Sequence, residues 1–355
     1  MTFYLINIFL LILLGIFFLL GKPSEQSKKV FCIIASLQWI LLSGLRHISV
    51  GTDNYSYKLS FETTANNSWT NLGYNFIDVM FYGADGKDPG YSLFEKTVQI
   101  FTTDYQIYLV MIAAVFTIPL GTWIYKNSSE PFISFLIYSC LFYSFFAITG
   151  HRQTIATALA ILIGYKFIKD RHFWPFLILV LLAMTIHKSA IVFLPFYFIA
   201  NKKITRKYIV IISGIILISF IFRNKIMVLL GTLMGYENYI EQYEGAGAWT
   251  FTMLLLLMTI VVIWKHKIML SNNLQVTHYI NALFLASVFL PLTFVDPSAM
   301  RVVQYYSIFI ILLVPEIIKA FNKRERTIVY YVGTTLLISF FAKNNPQYLF
   351  FWQGS

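Results

Sequence analysis

Several stretches of this sequence run for the length of a membrane-spanning helix without a charged residue, as from Phe3 to Leu20. A chain that crosses a bilayer must satisfy its backbone hydrogen bonds internally, which leaves α-helices or a closed β-barrel. Barrel strands would alternate apolar and polar residues, whereas these runs are apolar almost throughout. The sequence therefore predicts an all-α, polytopic integral membrane protein.

The composition agrees with lipid as the main solvent. Charged residues make up 12% of the chain, about half the share of a soluble domain. Phe (34 residues) and Tyr (23 residues) are heavily used. These values exclude an ordinary water-soluble enzyme.

The net charge of +11 indicates topology rather than a nucleic-acid partner. Most of the 27 basic residues stand in short connections between apolar runs, which the positive-inside rule places in the cytoplasm. The other segments carry basic and acidic residues in near balance. The basic connections contain Lys22, Lys28, Lys29, Lys126, Lys166, Lys169, Arg171, Lys202, Lys203, Arg206, Lys207, Lys265, Lys267, Lys319, Lys323, Arg324 and Arg326.

The chain is expected to form one membrane domain, 1–355, with about ten ordinary spans and both termini on the outer face. The first run has no basic segment before it and no cleavage pattern after it, so we expect a retained span. The segment 173–200 is too long for one upright helix and has basic flanks. These two features predict a broken or re-entrant pair of helices that turns near His187. The ordinary spans are expected near 2–21, 30–45, 105–125, 131–149, 152–168, 208–222, 248–264, 276–295, 301–319 and 327–342.

Two segments on the predicted outer face are long enough to form a cap. The loop 46–104 holds most of the acidic residues and two turn signals, at Gly83–Gly86 and Asp88–Gly90. The loop 223–247 holds three glutamates among tyrosines.

The first candidate group lies where the second span ends. Arg46 is followed by Gly51 and Asp53, and the glycine suits a tight turn that brings the aspartate back over the membrane. The alternative is a snorkelling arginine and a solvated aspartate.

The second candidate group is His151-Arg152-Gln153, at the outer start of a helix rich in alanine. An arginine fork there suits a bidentate phosphate contact. An interfacial anchor is the alternative interpretation.

The third candidate group is His187-Lys188, at the turn of the broken pair. A histidine can be neutral near pH 7 and accept a proton, as a general base must. The alternative is a structural hydrogen-bond donor.

The fourth candidate group is Arg301, Gln304 and Tyr305, whose spacing places them on one helix face. That face could hold an anion and stack on a sugar. A plain aromatic belt is the alternative.

Other site chemistries have no motif in this sequence. It contains no histidine pair at metal spacing, no glycine-rich phosphate loop and no Gly-x-Ser-x-Gly elbow. We expect no cofactor and no metal ion, so that any transfer uses a pre-activated donor presented in the membrane.

At these residues the sequence resembles the EpsG family of polysaccharide polymerases, relatives of the Wzy polymerases of O-antigen and capsule. The resemblance covers nearly the whole chain. In order, it is carried by Arg46, Val50-Gly51-Thr52-Asp53, Tyr57, Gly90-Tyr91, Leu93-Phe94, Arg152-Gln153, Ala156, His187, Ser189-Ala190, Arg301 and Tyr305-Tyr306.

The resemblance implies a multi-pass enzyme of the bacterial inner membrane whose site faces the periplasm or cell exterior. Its donor and acceptor would be undecaprenyl-diphosphate-linked oligosaccharides, and its product an O-antigen, capsule or exopolysaccharide. A chain-length regulator is a further implied partner.

On this interpretation, Arg152 and Arg301 bind the diphosphate with support from Arg46. His187 is the first candidate for the base and Asp53 the second, unless Asp53 orients an arginine. The residues expected to bind substrate are His151, Gln153, Lys188, Gln304, Tyr305 and Tyr91.

Two rival functions remain at this stage. A flippase for the same lipid-linked sugar would place charged groups near the midplane and broken helices in both halves. A polysaccharide ligase would use the same residue types as a polymerase.

Overall fold

The computed structural model describes residues 3–234, 248–343 and 347–353. It is all-helical, with 80% helix and no strands among those residues. The predicted all-α class is therefore confirmed. The chain divides into two compact units, one comprising Met1–Ile191 with Ile328–Ser355 and the other Val192–Thr327.

Among its described residues, the first unit contains ten α-helices from the N-terminal part of the chain and most of a C-terminal α-helix. Two of its apolar runs are partly π-helical, at Tyr138–Phe142 with Ser144–Ile148 and at Ala158–Ile163. Its α-helices are α1 (Phe3–Leu19), α2 (Glu25–Gly44), α3 (Asn54–Asn66), α4 (Trp69–Phe81), α5 (Pro89–Val98), α6 (Tyr105–Asn127), α7 (Pro131–Ile137), α8 (His151–Thr157), α9 (Tyr165–Lys169) and α10 (Phe173–Ile186).

The second unit begins within a 3₁₀ helix, Lys188–Phe193, that follows α10. Further 3₁₀ turns, Leu290–Phe294 and Pro297–Ala299, precede α16. The remaining helices are α11 (Phe196–Ile199), α12 (Arg206–Ile221), α13 (Arg223–Met234), α14 (Trp249–Asn272), α15 (Val276–Phe289), α16 (Met300–Ser307), α17 (Ile310–Lys319) and α18 (Lys323–Lys343), the last of which runs on into the first unit.

In the part of the chain that the structure describes, three helical segments are long and apolar enough to cross a membrane: Tyr105–Asn127, Trp249–Asn272 and Val276–Phe294. Two bent pairs raise the number to five if each is one span, namely Arg206–Ile221 with Arg223–Leu230 and Pro297–Ser307 with Ile310–Lys319. The predicted count of about ten spans is not confirmed. Breaks and π-helical turns divide several apolar runs into pieces shorter than a bilayer crossing.

The segment predicted as a long outer loop, 46–104, contains the helices α3, α4 and α5. Of the second predicted loop, residues 223–234 form α13, whereas residues 235–247 lie outside the described residues. The predicted break in 173–200 falls between Ile186, the last residue of α10, and the 3₁₀ helix that begins at Lys188.

Helices α2 and α6 approach closely because glycines face their neighbours. A Cβ added to Gly44 would lie 2.7 Å from the Cα of Val110. Tyr108, two residues before Val110 in α6, is fully buried and belongs to a core shared with α3, α5 and α8. This core fixes the helix ends that carry the candidate residues.

Candidate functional site

A buried aspartate, Asp88, connects two of the predicted site residues. Its carboxylate accepts a hydrogen bond from Nη1 of Arg152 at 2.9 Å and lies 3.4 Å from Nδ1 of His187. It also accepts the backbone N–H of Lys188 at 2.9 Å. Three segments that are remote in sequence therefore meet at one carboxylate.

The local sequence explains how Asp88 reaches this position. Asp88 has a left-handed backbone (φ 53°), and Pro89 follows as the first residue of α5. A Cβ added to Gly90 would lie 2.9 Å from the backbone carbonyl carbon of Thr185 in α10. Only glycine permits this approach, which brings the start of α5 against the end of α10.

His187 directly follows Ile186, the last residue of α10. Its backbone N–H donates to the carbonyl of Ala183, and its side chain is 8% exposed. Since an ionised carboxylate only accepts hydrogen bonds, Nδ1 must carry the proton it shares with Asp88. Nε2 is buried and has no hydrogen-bond partner within the described part of the chain. This arrangement leaves Nε2 as a proton acceptor held at a fixed orientation.

Asp88 is ionised at neutral pH. Burial raises its pKa, but the hydrogen bond from His187, the Lys188 amide and the charge of Arg152 together outweigh burial, so its pKa lies below the ordinary value. The site therefore holds one fixed negative charge beneath an arginine and a histidine.

Arg152 is the most accessible of the clustered groups. It is the second residue of α8, which follows the left-handed Gly150 (φ 61°). Its side chain is 33% exposed, while that of Asp88 is 5% exposed. The guanidinium lies 5.8 Å from the ring centre of Tyr57 and 6.0 Å from that of Tyr91. It is thus held by aromatic rings on one side and retains surface for an anionic ligand.

Arg46 is instead fully buried. It donates to the Ser43 carbonyl, to Oδ1 of Asn54 at 3.2 Å and to Nε2 of His151 at 2.9 Å. Burial lowers its pKa to about 10, against the opposing effect of nearby tyrosines, so it stays charged at neutral pH. The bonds of Arg46 tie the ends of α2, α3 and α8 together.

His151 lies between Arg46 and Tyr57. Arginine can only donate, so Nε2 of His151 accepts and the proton sits on Nδ1. The imidazole stacks on the Tyr57 ring at 4.2 Å between centroids. The backbone of Gly51 packs against this region, since an added Cβ would lie 2.6 Å from the Ile148 carbonyl oxygen.

The other predicted residues of the first unit differ in exposure. Asp53 is half-buried directly before α3 and its side chain does not cap that helix. Tyr91 is buried, and its hydroxyl accepts a hydrogen bond from Tyr108 at 2.9 Å. Gln153 is buried, whereas the side chain of Lys188 is exposed.

A second buried carboxylate, Glu95, lies one helical turn beyond Tyr91. It is fully buried and accepts hydrogen bonds from Ser60 at 3.0 Å and Thr64 at 2.9 Å. Burial raises its pKa to about 7, although these hydrogen bonds partly oppose the shift. Glu95 can therefore change its protonation state near neutral pH.

The fourth predicted group belongs to the second unit. Arg301 is exposed on α16, whereas Gln304 and Tyr305 on the same helix are buried. The preceding Asp296 accepts the backbone N–H of Ser298 at 2.7 Å and so caps a short 3₁₀ turn. The diphosphate role of Arg301 stays a prediction.

Sequence reasoning missed Asp88, Glu95 and the ring of Tyr57 as members of the cluster. Asp88 stood in a recognised turn signal, Asp-Pro-Gly, but the sequence did not indicate that α10 would end against it. Among residues 3–234, 248–343 and 347–353, no three His, Cys, Asp or Glu side chains are grouped so as to hold a metal ion.

Comparison with known proteins gives one family. The model of the EpsG family matches residues 29–348, nearly the whole chain. No curated protein and no solved structure matches it.

Proposed function

The chain belongs to the EpsG family of Wzy-like polysaccharide polymerases, and from this premise we propose that it joins undecaprenyl-diphosphate-linked oligosaccharide repeats on the outer face of the bacterial cytoplasmic membrane. The anomeric carbon of one lipid-linked chain is the electrophile. A hydroxyl of the other lipid-linked sugar is the nucleophile. The C–O bond to the diphosphate breaks as the new glycosidic bond forms.

Arg152 stabilises the departing diphosphate in this proposal. Negative charge grows on the bridging oxygen as the bond breaks, and an arginine fork can donate to two phosphate oxygens. The guanidinium is oriented by Asp88 and by two aromatic rings, yet a third of the side chain is exposed. A pre-oriented donor stabilises the developing charge without first reorganising.

His187 takes the proton from the attacking hydroxyl. Asp88 holds Nδ1–H, so that Nε2 accepts, and it stabilises the imidazolium that forms. The proton is returned to solvent or to the released diphosphate. Asp53 is the second candidate for the base, and it lies half-buried before α3.

Supporting roles follow from burial. Arg46, inside the protein, contributes positive potential and holds His151 in place. Arg301 is proposed as a further diphosphate ligand. The proposed sugar contacts are made by His151, Gln153, Lys188, Gln304, Tyr305 and Tyr91.

The observation that carries this proposal is the shared carboxylate of Asp88, which bonds to the two residues proposed for the leaving group and for the base. Outer-face catalysis, about ten spans and a cap formed by 46–104 belong to the same proposal. The product is an O-antigen, capsule or exopolysaccharide, and a chain-length regulator is the proposed protein partner.

The test is a gel of surface and lipid-linked glycans from the host with the gene deleted, complemented with wild type, Arg152→Ala or His187→Ala at matched expression. A ladder that collapses to a single repeat in the deletion and in both variants supports the proposal. A wild-type ladder from both variants would overturn the assigned roles.

The same gel separates the rival functions. Loss of all surface glycan, with lipid-linked repeats retained on the cytoplasmic face, would identify a flippase. Full-length polymer that stays on its lipid carrier would identify a ligase.

A further inference from the structure

A cavity of about 520 Å³ lies where α6 ends, between this helix and the π-helical segment with α9. Its lining contains both apolar and polar residues. The apolar part includes Ile118, Leu162 and Ile163, and Trp123 also contributes. The polar part includes three lysines, one aspartate and one asparagine. These are Lys126, Lys166, Lys169, Asp170 and Asn127.

The charges around this cavity favour an anion. Three lysines and a single aspartate, Asp170, are the charged residues of its lining. Lys169 donates to Oδ1 of Asn127 at 3.3 Å. The ammonium groups of Lys126 and Lys166 make no hydrogen bond or ion pair to any residue that the structure describes. Their positive charge is therefore available to a ligand.

The position of the cavity at one end of a candidate membrane span predicts that it lies at headgroup depth. Helix α6 is one of the candidate membrane spans, and Lys126 is in its last turn. At the other end of α6, the hydroxyl of Tyr105 donates to the Asn54 carbonyl beside the candidate site. At 1.5 Å per residue the two ends of α6 are roughly 33 Å apart, which is about the thickness of the hydrocarbon core.

We propose that this cavity binds an anionic phospholipid from the membrane leaflet opposite the candidate site. The lipid phosphate lies against Lys126 and Lys166. One acyl chain lies along the apolar wall that includes Ile163. Basic pockets between membrane helices on the positive-inside face bind anionic headgroups by this combination of charge and apolar contact. A zwitterionic lipid carries no net charge and would satisfy the lysines less well.

The proposal is independent of the polymerase function, because it is tested by binding. The full-length protein is purified in neutral detergent and titrated with phosphatidylglycerol while its thermal unfolding is followed. We expect a saturable rise in the unfolding temperature, since a ligand that binds only the folded protein stabilises it. Phosphatidylcholine should give little rise, and glycerol 3-phosphate, the headgroup chemistry without acyl chains, should give none.

The variants locate the effect. Lys126→Gln/Lys166→Gln/Lys169→Gln should raise the half-saturating phosphatidylglycerol concentration by about ten-fold in total, since each lost exposed charge contact contributes up to about five-fold. Lys126→Gln alone should raise it by about three-fold. The matched control is Lys202→Gln/Lys203→Gln/Lys207→Gln, which removes the same charge from exposed residues elsewhere and should leave the titration unchanged.

Three results would overturn the proposal. One is an equal response of the triple variant and the wild type. Another is an equal response to phosphatidylcholine. The third is an equal shift with glycerol 3-phosphate alone, which would identify a free phosphate ester as the ligand instead of a lipid.

Discussion

The carboxylate of Asp88 lies 2.9 Å from the guanidinium of Arg152, although 64 residues separate them. The same carboxylate faces His187 and accepts the amide of Lys188. Asp88 is thus a positioning residue whose single negative charge orients a cation and a base at once. Its removal should affect both proposed partners together.

Asp88→Asn is expected to reduce polymerisation strongly while leaving the protein folded. The amide oxygen can still accept one hydrogen bond, but the charge that holds Arg152 and His187 is lost. Loss of a positioning group costs about ten- to a hundred-fold in rate. The measurement is the rate at which a purified lipid-linked repeat is converted to longer products.

Asp85→Asn is the control for this substitution. Asp85 is exposed and lies three residues away in the same connection between α4 and α5, so its charge change should leave the rate at the wild-type level. Equal rates for Asp88→Asn and the wild type would exclude the positioning role. A reduced rate whose pH profile is also altered would agree with a change in the base rather than in folding alone.

Arg152→Lys should retain little activity even though it keeps the positive charge. A lysine presents a point charge and cannot form the planar, two-pronged contact with phosphate oxygens. We expect about a ten-fold loss for Arg152→Lys and a larger loss for Arg152→Ala. Initial rates at saturating lipid-linked repeat provide the measurement.

Arg206→Lys is the matched conservative exchange, at an exposed position at the start of α12. It should have no effect on the rate. If Arg152→Lys behaved as the wild type does, a bidentate contact at this position would be refuted.

The stability of the first unit should depend on the protonation of Glu95. Its pKa is about 7 in the folded protein against an ordinary 4.5, so the folded state binds this proton more tightly than the unfolded chain does. The stability it contributes is complete below pH 4.5 and is lost as the pH rises through 7. The loss is at most about 3 kcal/mol.

Thermal unfolding between about pH 5 and about pH 8 measures this dependence. Glu95→Gln should flatten the fall in unfolding temperature, because glutamine cannot ionise and its oxygen can still accept from Ser60 and Thr64. Glu62→Gln, an exposed exchange on α3, should leave the slope unchanged. A slope that persists in Glu95→Gln would assign the pH dependence to another group.

The helical class could be predicted because it depends on composition and on the length of apolar runs. The way in which those runs divide into separate helices could not be predicted from the sequence. The segment 131–149 appears apolar and continuous, yet it turns π-helical from Tyr138. A π-helical turn changes the hydrogen-bond register without a change in hydrophobicity, so no apolar pattern indicates it.

The candidate residues could be found singly but not as a cluster. Arg152 and His187 stood out because ionisable groups are rare in apolar surroundings. Their common partner, Asp88, lay among several acidic residues of one loop, and its turn signal did not indicate which residues it would contact. The two arginines also differ in burial, which the sequence did not indicate. Arg46 is buried and hydrogen-bonded inside the protein, whereas Arg152 is partly exposed. Such differences arise from tertiary packing.

Gly90→Ala tests whether the approach of α5 to α10 holds the cluster together. The added methyl would lie 2.9 Å from the backbone carbon of Thr185, which cannot rotate away as a side-chain end would. We expect a loss of about 1–3 kcal/mol in the free energy of unfolding and, because the helices must separate, a polymerisation rate as low as that of Asp88→Asn. Gly73→Ala is the control: an added Cβ there meets nothing within 4 Å, so the exchange in α4 should be neutral or stabilising. Equal unfolding and equal rates for Gly90→Ala and Gly73→Ala would show that the close approach is not required.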